Sequence, residues 1–198
     1  MVEMRGYFGV GIDGVSKKGN VGNLVRTAHA FGASFAFAVN PKREVLTGQI
    51  ITKDFANTAK SHEQIPFYNF ETVDDLLVPK GCRLVGVEIT DDAIDLPSFR
   101  HPMQAVYVLG GERTSLSEEM ADRCDHMIKI PSKFSLNVAT AGAIVMYDRM
   151  RVLGKFPERP VMAGRQPDPV EEHIHGKPIS RLQRREKQLA RNKGETSE

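Results

Sequence analysis

Apolar segments along this 198-residue chain alternate between two periodicities, and this alternation is what most restricts the possible fold. Short, nearly continuous apolar runs, typical of buried strands, stand at 7–12, 34–39, 83–89, 104–110 and 126–131, with a weaker run at 66–70. Segments with helical spacing stand between or after them, at 21–33, 71–77, 116–123 and 135–154. Strands that alternate with helices predict an α/β fold, a mostly parallel sheet flanked by helices.

Two of the predicted helices carry more specific information. In the first, Asn20 is in place to cap the N-terminus, and an apolar stripe follows it at helical spacing: Val21, Leu24, Val25, Ala28 and Phe31. In the last, the segment ATAGAIVM (139–146) is small and apolar on nearly every side. This composition predicts a helix buried all round, which a second helix can approach closely.

The stretch GVGIDG (9–14) fits the dinucleotide-binding pattern G-x-G-x-x-G, but its context does not. That pattern must follow a strand and open a helix, with an acidic residue about 20 positions later. Here Gly9 and Gly11 fall inside the strand, and the next strand ends in Asn40. We therefore interpret these glycines as permitting close packing, which leaves a nicotinamide-dependent oxidoreductase a weak alternative.

The bulk properties are those of a globular protein, with 40% hydrophobic and 26% charged residues. No apolar run approaches the roughly 20 residues that span a bilayer, and MVEMRGYFGV lacks the layout of a signal peptide. We expect a cytoplasmic protein without membrane association. Cys82 and Cys124 have no metal or redox spacing and are expected to be reduced, packed thiols, while the scattered histidines suggest no metal site.

The composition changes after Gly154, and we divide the chain into a domain at 1–156 and a Pro-rich linker with a basic C-terminal tail at 157–198. Between 177 and 193, seven basic residues face one acid, Glu186, which is a local excess of +6. Such a run is either a solvated tail or an arm that contacts phosphates, and composition leaves both possibilities open.

Three segments, taken in order, carry the functional signal. They are NVGNLVRTAHAFGA (20–33), VYVLGGERTSLSEEM (106–120) and IKIPSKFSLNVATAGAIVMYD (128–148). Together they resemble the three motifs of the SpoU/TrmH family of RNA 2′-O-ribose methyltransferases, over residues 7 to 154. The resemblance implies a SPOUT fold, with a C-terminal trefoil knot, and a homodimer that binds S-adenosylmethionine and structured RNA. Because no separate RNA-binding domain precedes residue 7, we expect tRNA to be favoured over rRNA.

The resemblance also assigns site residues. Cofactor contacts are implied at three strand ends and the loops after them: Val87, Gly110, Gly111, Ile130, Ser135, Leu136 and Asn137. Arg26 matches the catalytic arginine of the family, with Asn23 and Glu112 positioning it or the ribose and with Ser135 and Asn137 lining the site. Since a guanidinium is normally locked in its charged form, we interpret Arg26 as stabilising the forming alkoxide. No metal is required.

The sequence departs from the family at three places. Lys18-Gly19 stands where a proline is frequent, the second motif lacks a glycine in its turn, and Ser132 replaces a frequent methionine. These loop changes affect which RNA is recognised, whereas Arg26 and Asn137 remain. The alternative function is a non-catalytic RNA-binding protein on the same fold.

Overall fold

The computed structural model describes residues 6–14, 18–40, 64–111 and 115–169. Within these ranges, seven strands form one sheet in the order β3-β2-β1-β6-β4-β7-β5, and every neighbouring pair is parallel. The strands are β1 Tyr7–Asp13, β2 Phe35–Val39, β3 Phe67–Phe70, β4 Arg83–Val87, β5 Ile94–Asp95, β6 Gln104–Gly110 and β7 His126–Lys129. The helices are α1 Lys18–Ala30, a 3₁₀ turn Leu96–Ser98, α2 Glu118–Arg123 and α3 Val138–Leu153. The predicted α/β class is confirmed.

Each face of the sheet buries its own apolar layer. Helices α1 and α3 pack on one face and on each other, over a layer that includes Phe8, Val10 and Ile12. The other face carries β2 side chains together with α2 and the segment between β3 and β4, in a layer that includes Phe37, Val106 and Met120. The stripe predicted for α1 is observed, since Val21, Leu24, Val25 and Ala28 are buried and Phe31 packs against them.

Two local predictions are wrong, and one strand was not predicted. Helix α1 begins at Lys18, so Asn20 lies inside its first turn and does not cap it. Residues 71–77 form turns and no helix: the Val73 carbonyl accepts from the N–H of Leu76, three residues later, and the Arg123 guanidinium donates to the carbonyls of Val73 and Leu76. The two-residue strand β5 had no signal in the sequence. Of the segments 42–65 and 178–192, for which a loop with one short helix and a helix were considered, the structure describes only residues 64 and 65.

The sequence predicted that the segment 139–146 of α3 is buried all round, and this prediction is wrong. Ala139, Val145 and Met146 are buried, whereas Thr140 is exposed and Ile144 is only half-buried. The small residues do allow a close helix approach, but the neighbour is α1 of the same chain. A Cβ at Gly142 would overlap the side chain of Leu24.

The glycines of GVGIDG support the packing interpretation. Gly9 and Gly11 lie in β1 beside the rings of Phe35 and Phe37 in β2, and a Cβ at Gly11 would stand 2.5 Å from three carbons of the Phe37 ring. Each glycine therefore leaves room for an aromatic ring from the neighbouring strand. No side chain fits at either position without displacing that ring.

We predict that Gly11→Ala lowers the free energy of unfolding by about 1–3 kcal/mol, because the new methyl group forces the Phe37 ring out of its site. Gly19→Ala is the matched control, since a Cβ there meets nothing within 4 Å and alanine favours the helix. It should raise stability by about 0.5–1 kcal/mol. Urea unfolding of both variants measures the difference. Equal effects of the two substitutions would contradict the packing interpretation.

A buried polar cluster lies on the α3 side of the sheet, at the amino end of β6. Arg149, 2% exposed, donates to the hydroxyl of Tyr107 at 3.1 Å, and that hydroxyl lies 2.6 Å from Nδ1 of His101. Nε2 of His101 lies 3.1 Å from a carboxylate oxygen of Asp148. These contacts form one consistent chain if Tyr107 donates to Nδ1 and a neutral His101 donates to Asp148. Burial lowers the pKa of His101, although Asp148 partly opposes this effect, and burial raises the pKa of Tyr107 to about 12.

The lowered pKa of His101 makes stability depend on pH. The unfolded histidine takes up a proton near pH 6.5, while the folded one resists protonation to lower pH. The unfolded state thus binds more protons as pH falls below 6.5, and the folded state loses stability there. We expect the urea midpoint to fall between pH 6.5 and 5, and His101→Gln to reduce this slope. His29→Gln, which removes an exposed histidine of α1, should leave the slope unchanged, and equal slopes in all three proteins would contradict the assignment.

Contacts divide the chain into two units, residues 1–156 and 157–198. In the second, the described residues 157–169 form a turn near Gly164, whose φ is +77°, and most of their side chains are exposed. The basic tail between 177 and 193 lies outside the described residues. No helix in the described ranges is both long and apolar enough to span a membrane.

Candidate functional site

A cavity of about 570 Å³ opens at the carboxyl ends of β4, β6 and β7, where open parallel sheets commonly bind ligands. Its volume falls within the range that small molecules and cofactors occupy in proteins. Its walls come from the ends of these strands, the loop after β7, and the first turns of α1 and α3.

The residues predicted to contact a cofactor meet in this one cavity. Three are apolar side chains that can flank a flat ring, two are glycines, and two are polar residues ahead of α3. All seven line it: Val87, Ile130, Leu136, Gly110, Gly111, Ser135 and Asn137. The structure therefore brings together residues from three strand ends that are up to 50 positions apart in the chain.

The two glycines are required by the packing of the chain on itself. A Cβ at Gly110 would lie 2.7 Å from a carboxylate oxygen of Glu88 and 2.8 Å from the backbone nitrogen of Leu116. A Cβ at Gly111 would overlap the backbone oxygen of Gly14. The prediction attributed both glycines to the approach of a ligand, whereas the structure shows that neighbouring backbone and Glu88 already occupy the space beside them.

Asn137 connects the loop after β7 to two helices. Its Oδ1 accepts from the backbone N–H of Ala139 at 3.0 Å and of Thr140 at 3.4 Å, so it caps the N-terminus of α3. Its Nδ2 donates to Oδ1 of Asn20 in α1 at 3.0 Å. This capping explains why α3 begins at Val138, three residues later than the sequence predicted. It also fixes the wall of the cavity where α1 and α3 meet.

The predicted catalytic residues of α1 do not line the cavity. Asn23 and Arg26 are both exposed and, being three residues apart, lie on one side of the helix. Asn20, one turn before Asn23, does line the cavity, so the exposed face begins at its rim. Glu112, predicted to position Arg26 or the ribose, lies outside the described residues.

Two carboxylates at the same edge of the sheet were missed by the sequence reasoning. Asp13, 2% exposed, ends β1 and accepts from Nδ2 of Asn40 at 2.9 Å and from the backbone and hydroxyl of Ser117 at 2.8 and 2.6 Å. It holds the start of α2 against the ends of β1 and β2. Glu88 follows β4 and lines the cavity. An acidic residue at the end of a buried apolar strand, or directly after it, was the available signal for both.

The two cysteines do not line this cavity. Cys82 and Cys124 are free, and burial raises the pKa of the Cys124 thiol to about 12. In the described part of the chain, no three His, Cys, Asp or Glu residues are grouped so that they could hold a metal ion.

The comparisons with known proteins all indicate the same family. The model of the SpoU rRNA Methylase family matches residues 8–147. A TrmH family tRNA/rRNA methyltransferase of Staphylococcus epidermidis is 28% identical over 151 residues, which are 75% of this chain and 60% of that protein. One from Staphylococcus aureus is 29% identical over 143 residues, 71% of this chain and 57% of that protein. The chain thus spans about 60% of the length of these relatives.

Solved structures share the fold. An AdoMet-bound rRNA methyltransferase from Sinorhizobium meliloti superposes with a TM-score of 0.64 at 25% identity, over 77% of this chain and 59% of that one. A structure concerning 2-OH methylation of C/U34 on tRNA gives a TM-score of 0.64 at 22% identity, over 75% of this chain and 97% of that one. At 22% identity, the similarity to the second structure is evidence only for a shared fold.

Proposed function

The chain belongs to the SpoU rRNA methylase family, and from this premise we propose that it is an S-adenosylmethionine-dependent RNA methyltransferase acting on a ribose 2′-hydroxyl. The observation that carries the proposal is the cavity, in which the seven predicted cofactor-contact residues, from three separate strand ends and the loops after them, line one pocket of cofactor size. The AdoMet-bound relative from Sinorhizobium meliloti supports the same cofactor. We propose structured RNA as the substrate, with tRNA favoured over rRNA.

The residues of the cavity fit such a cofactor. Val87, Ile130 and Leu136 supply apolar side chains for an adenine ring, and the exposed hydroxyl of Ser135 can bind polar groups. When bound, S-adenosylmethionine supplies a methyl group that its sulfonium already activates for transfer. The chain must then orient the ribose and stabilise negative charge on its oxygen.

We assign that second task to Arg26. Its side chain is exposed, and no hydrogen bond or ion pair joins it to another residue within the described ranges. It is therefore available to an RNA ribose or phosphate. A guanidinium beside the 2′-oxygen stabilises the alkoxide that forms as the proton leaves. Asn23 and Glu112 are proposed to position Arg26 or the ribose, while Ser135 and Asn137 line the site.

We propose that two copies of the chain form a homodimer through α3. Tyr147 is 51% and Val152 43% exposed on this helix, and Ile144 is half-buried, so apolar surface remains outside the monomer core. The position of Arg26 outside its own chain's cavity lining supports a site completed across the dimer. We assign this protein to the cytoplasm and treat 157–198 as a linker and tail separate from the methyltransferase domain.

We also propose the C-terminal trefoil knot. In its support, β7 is inserted between β4 and β5, although it follows both in the chain. After β7, the chain returns from the β5 edge of the sheet and places α3 against α1. Connectivity of this kind departs from the ordinary rules for parallel sheets.

Methyl transfer to purified tRNA and rRNA tests the function. The protein is incubated with each RNA and methyl-labelled S-adenosylmethionine, and the modified nucleosides are identified by mass spectrometry. We expect 2′-O-methyl nucleosides, with more label in tRNA. Label on a base would refute the 2′-O assignment. Binding of the cofactor and of RNA without any transfer would instead establish the non-catalytic alternative.

A further inference from the structure

Glu88 is a cavity residue whose hydrogen bonds, within the described residues, are all with backbone N–H groups. It follows directly after β4 and is half-buried. One carboxylate oxygen accepts from the backbone N–H of Leu116 at 3.1 Å, and the other accepts from the N–H of Ile89 at 2.9 Å. Both donors are neutral, so they orient the carboxylate without cancelling its charge.

No cation in the described part of the chain neutralises Glu88. The other ionisable side chain among the described lining residues is Lys129, and its ammonium donates to the backbone oxygen of Thr90 at 3.0 Å. No ion pair within 4.0 Å joins Lys129 or another described residue to Glu88. Glu88 thus places a carboxylate charge on the cavity wall, partly shielded from solvent, where charge–charge attraction is stronger than in bulk water. The Lys129 ammonium keeps its own charge more than 4.0 Å away, so the attraction for a cation is the local one beside Glu88.

This charge matters because the two small molecules that the proposed reaction handles differ in charge. S-adenosylmethionine carries a positive sulfonium, whereas its demethylated product, S-adenosylhomocysteine, has a neutral thioether. The two share the adenine, the ribose and the amino acid group. Shape and hydrogen bonding in the cavity therefore separate them little, while a fixed carboxylate favours the cation.

We propose that Glu88 is the specificity residue that makes the cavity prefer the sulfonium cofactor to its thioether product. The preference favours entry of a loaded cofactor and release of the spent one, since the attraction disappears when the methyl group has left. This inference rests on the proposed function. It assigns to Glu88 a role toward the cofactor in addition to its contact with the backbone of Leu116.

Calorimetric titration of both molecules into the full-length protein tests the proposal. Glu88→Gln keeps the size of the side chain and one acceptor, but removes the charge. We expect it to weaken S-adenosylmethionine binding about tenfold, equivalent to about 1.4 kcal/mol, and to change S-adenosylhomocysteine binding less than about twofold. Glu88→Asp, which keeps the charge, should retain the preference. Glu118→Gln removes an exposed carboxylate in α2 and should behave as wild type.

The outcomes separate the possible roles of Glu88. Equal weakening of both molecules by Glu88→Gln would overturn the proposal and leave the residue only its contact with Leu116. An unchanged preference would overturn it as well. If the wild-type protein binds neither molecule, the proposed function itself fails.

A measurement on the wild type keeps the test independent of how the variants fold. Raising the salt concentration from about 0.05 M to about 0.5 M screens charge–charge attraction. Binding of S-adenosylmethionine should then weaken more than binding of S-adenosylhomocysteine. Equal salt dependence of the two would contradict the proposal.

Discussion

Arg26→Ala is expected to lower the rate of methyl transfer by roughly 10²–10³-fold while the protein stays folded and binds S-adenosylmethionine as before. The loss follows from removing the group that stabilises the 2′-oxyanion. Cofactor binding is expected to be retained because Arg26 is exposed on α1 and does not line the cavity. Its substitution also breaks no hydrogen bond within the described residues.

Three measurements together test this expectation: kcat and KM for RNA, calorimetric binding of the cofactor, and urea unfolding. Arg100→Ala is the matched control, because it also removes one exposed arginine from the same domain. If Arg26 only attracts phosphates, KM for RNA rises and kcat is unchanged. A retained kcat would therefore refute the assigned stabilising role.

The resemblance to the SpoU/TrmH family predicts the cofactor-contact residues, and the parallel sheet explains why they meet, because parallel strands bring their carboxyl ends to a common edge. Val87, Gly110 and Ile130 each stand at or just after the end of an apolar run, and a parallel sheet alone places the ends of neighbouring strands together. The sequence could not show that β7 lies between β4 and β5, because strand order is decided by contacts between distant segments.

The wrong helix at 71–77 shows what local patterns omit. Thr72 and Asp75 do form the kind of local contact that begins a helix, with the hydroxyl of Thr72 donating to the carboxylate of Asp75 at 2.7 Å. The first turn is not extended: the Val73 carbonyl accepts from the N–H of Leu76, and Arg123, some 50 residues later, donates to the carbonyls of Val73 and Leu76. Pro79 then excludes further helix. A tertiary contact thus adds to the local pattern at a position that the local sequence could not show.

Arg149 is a second feature that the sequence did not reveal, since an arginine in an amphipathic helix is usually exposed. Here its guanidinium is buried and donates to the carbonyls of Pro102 and Met103 at 2.6 and 2.8 Å, as well as to the Tyr107 hydroxyl. It also lies over the ring of Phe8, 5.0 Å from the centroid. It thereby connects α3 to the start of β6, at the end of the sheet opposite the cavity.

Arg149→Met is expected to lower the free energy of unfolding by about 3 kcal/mol or more, which is the largest effect on stability that we predict. Methionine retains much of the apolar stem but makes none of the three hydrogen bonds of the guanidinium: the Pro102 carbonyl and the Tyr107 hydroxyl lose this donor, while the Met103 carbonyl keeps the N–H of Tyr7. Arg151→Met, two residues along the same helix, is the matched control. Its side chain is 43% exposed and pairs with Asp148 at 3.2 Å, an arrangement that contributes about 0–1 kcal/mol.

Urea unfolding at pH 7.5 measures both variants, a pH at which His101 is neutral whether the chain is folded or unfolded. Arg149→Lys should fall between wild type and Arg149→Met, because one ammonium cannot reach all the acceptors of a planar guanidinium. If Arg149→Met and Arg151→Met differ by less than about 1 kcal/mol, the buried network does not stabilise the fold as the geometry implies. Because Arg149 does not line the cavity, folded Arg149→Met protein should still bind S-adenosylmethionine with wild-type affinity. This result would distinguish residues that stabilise the sheet from residues that form the site.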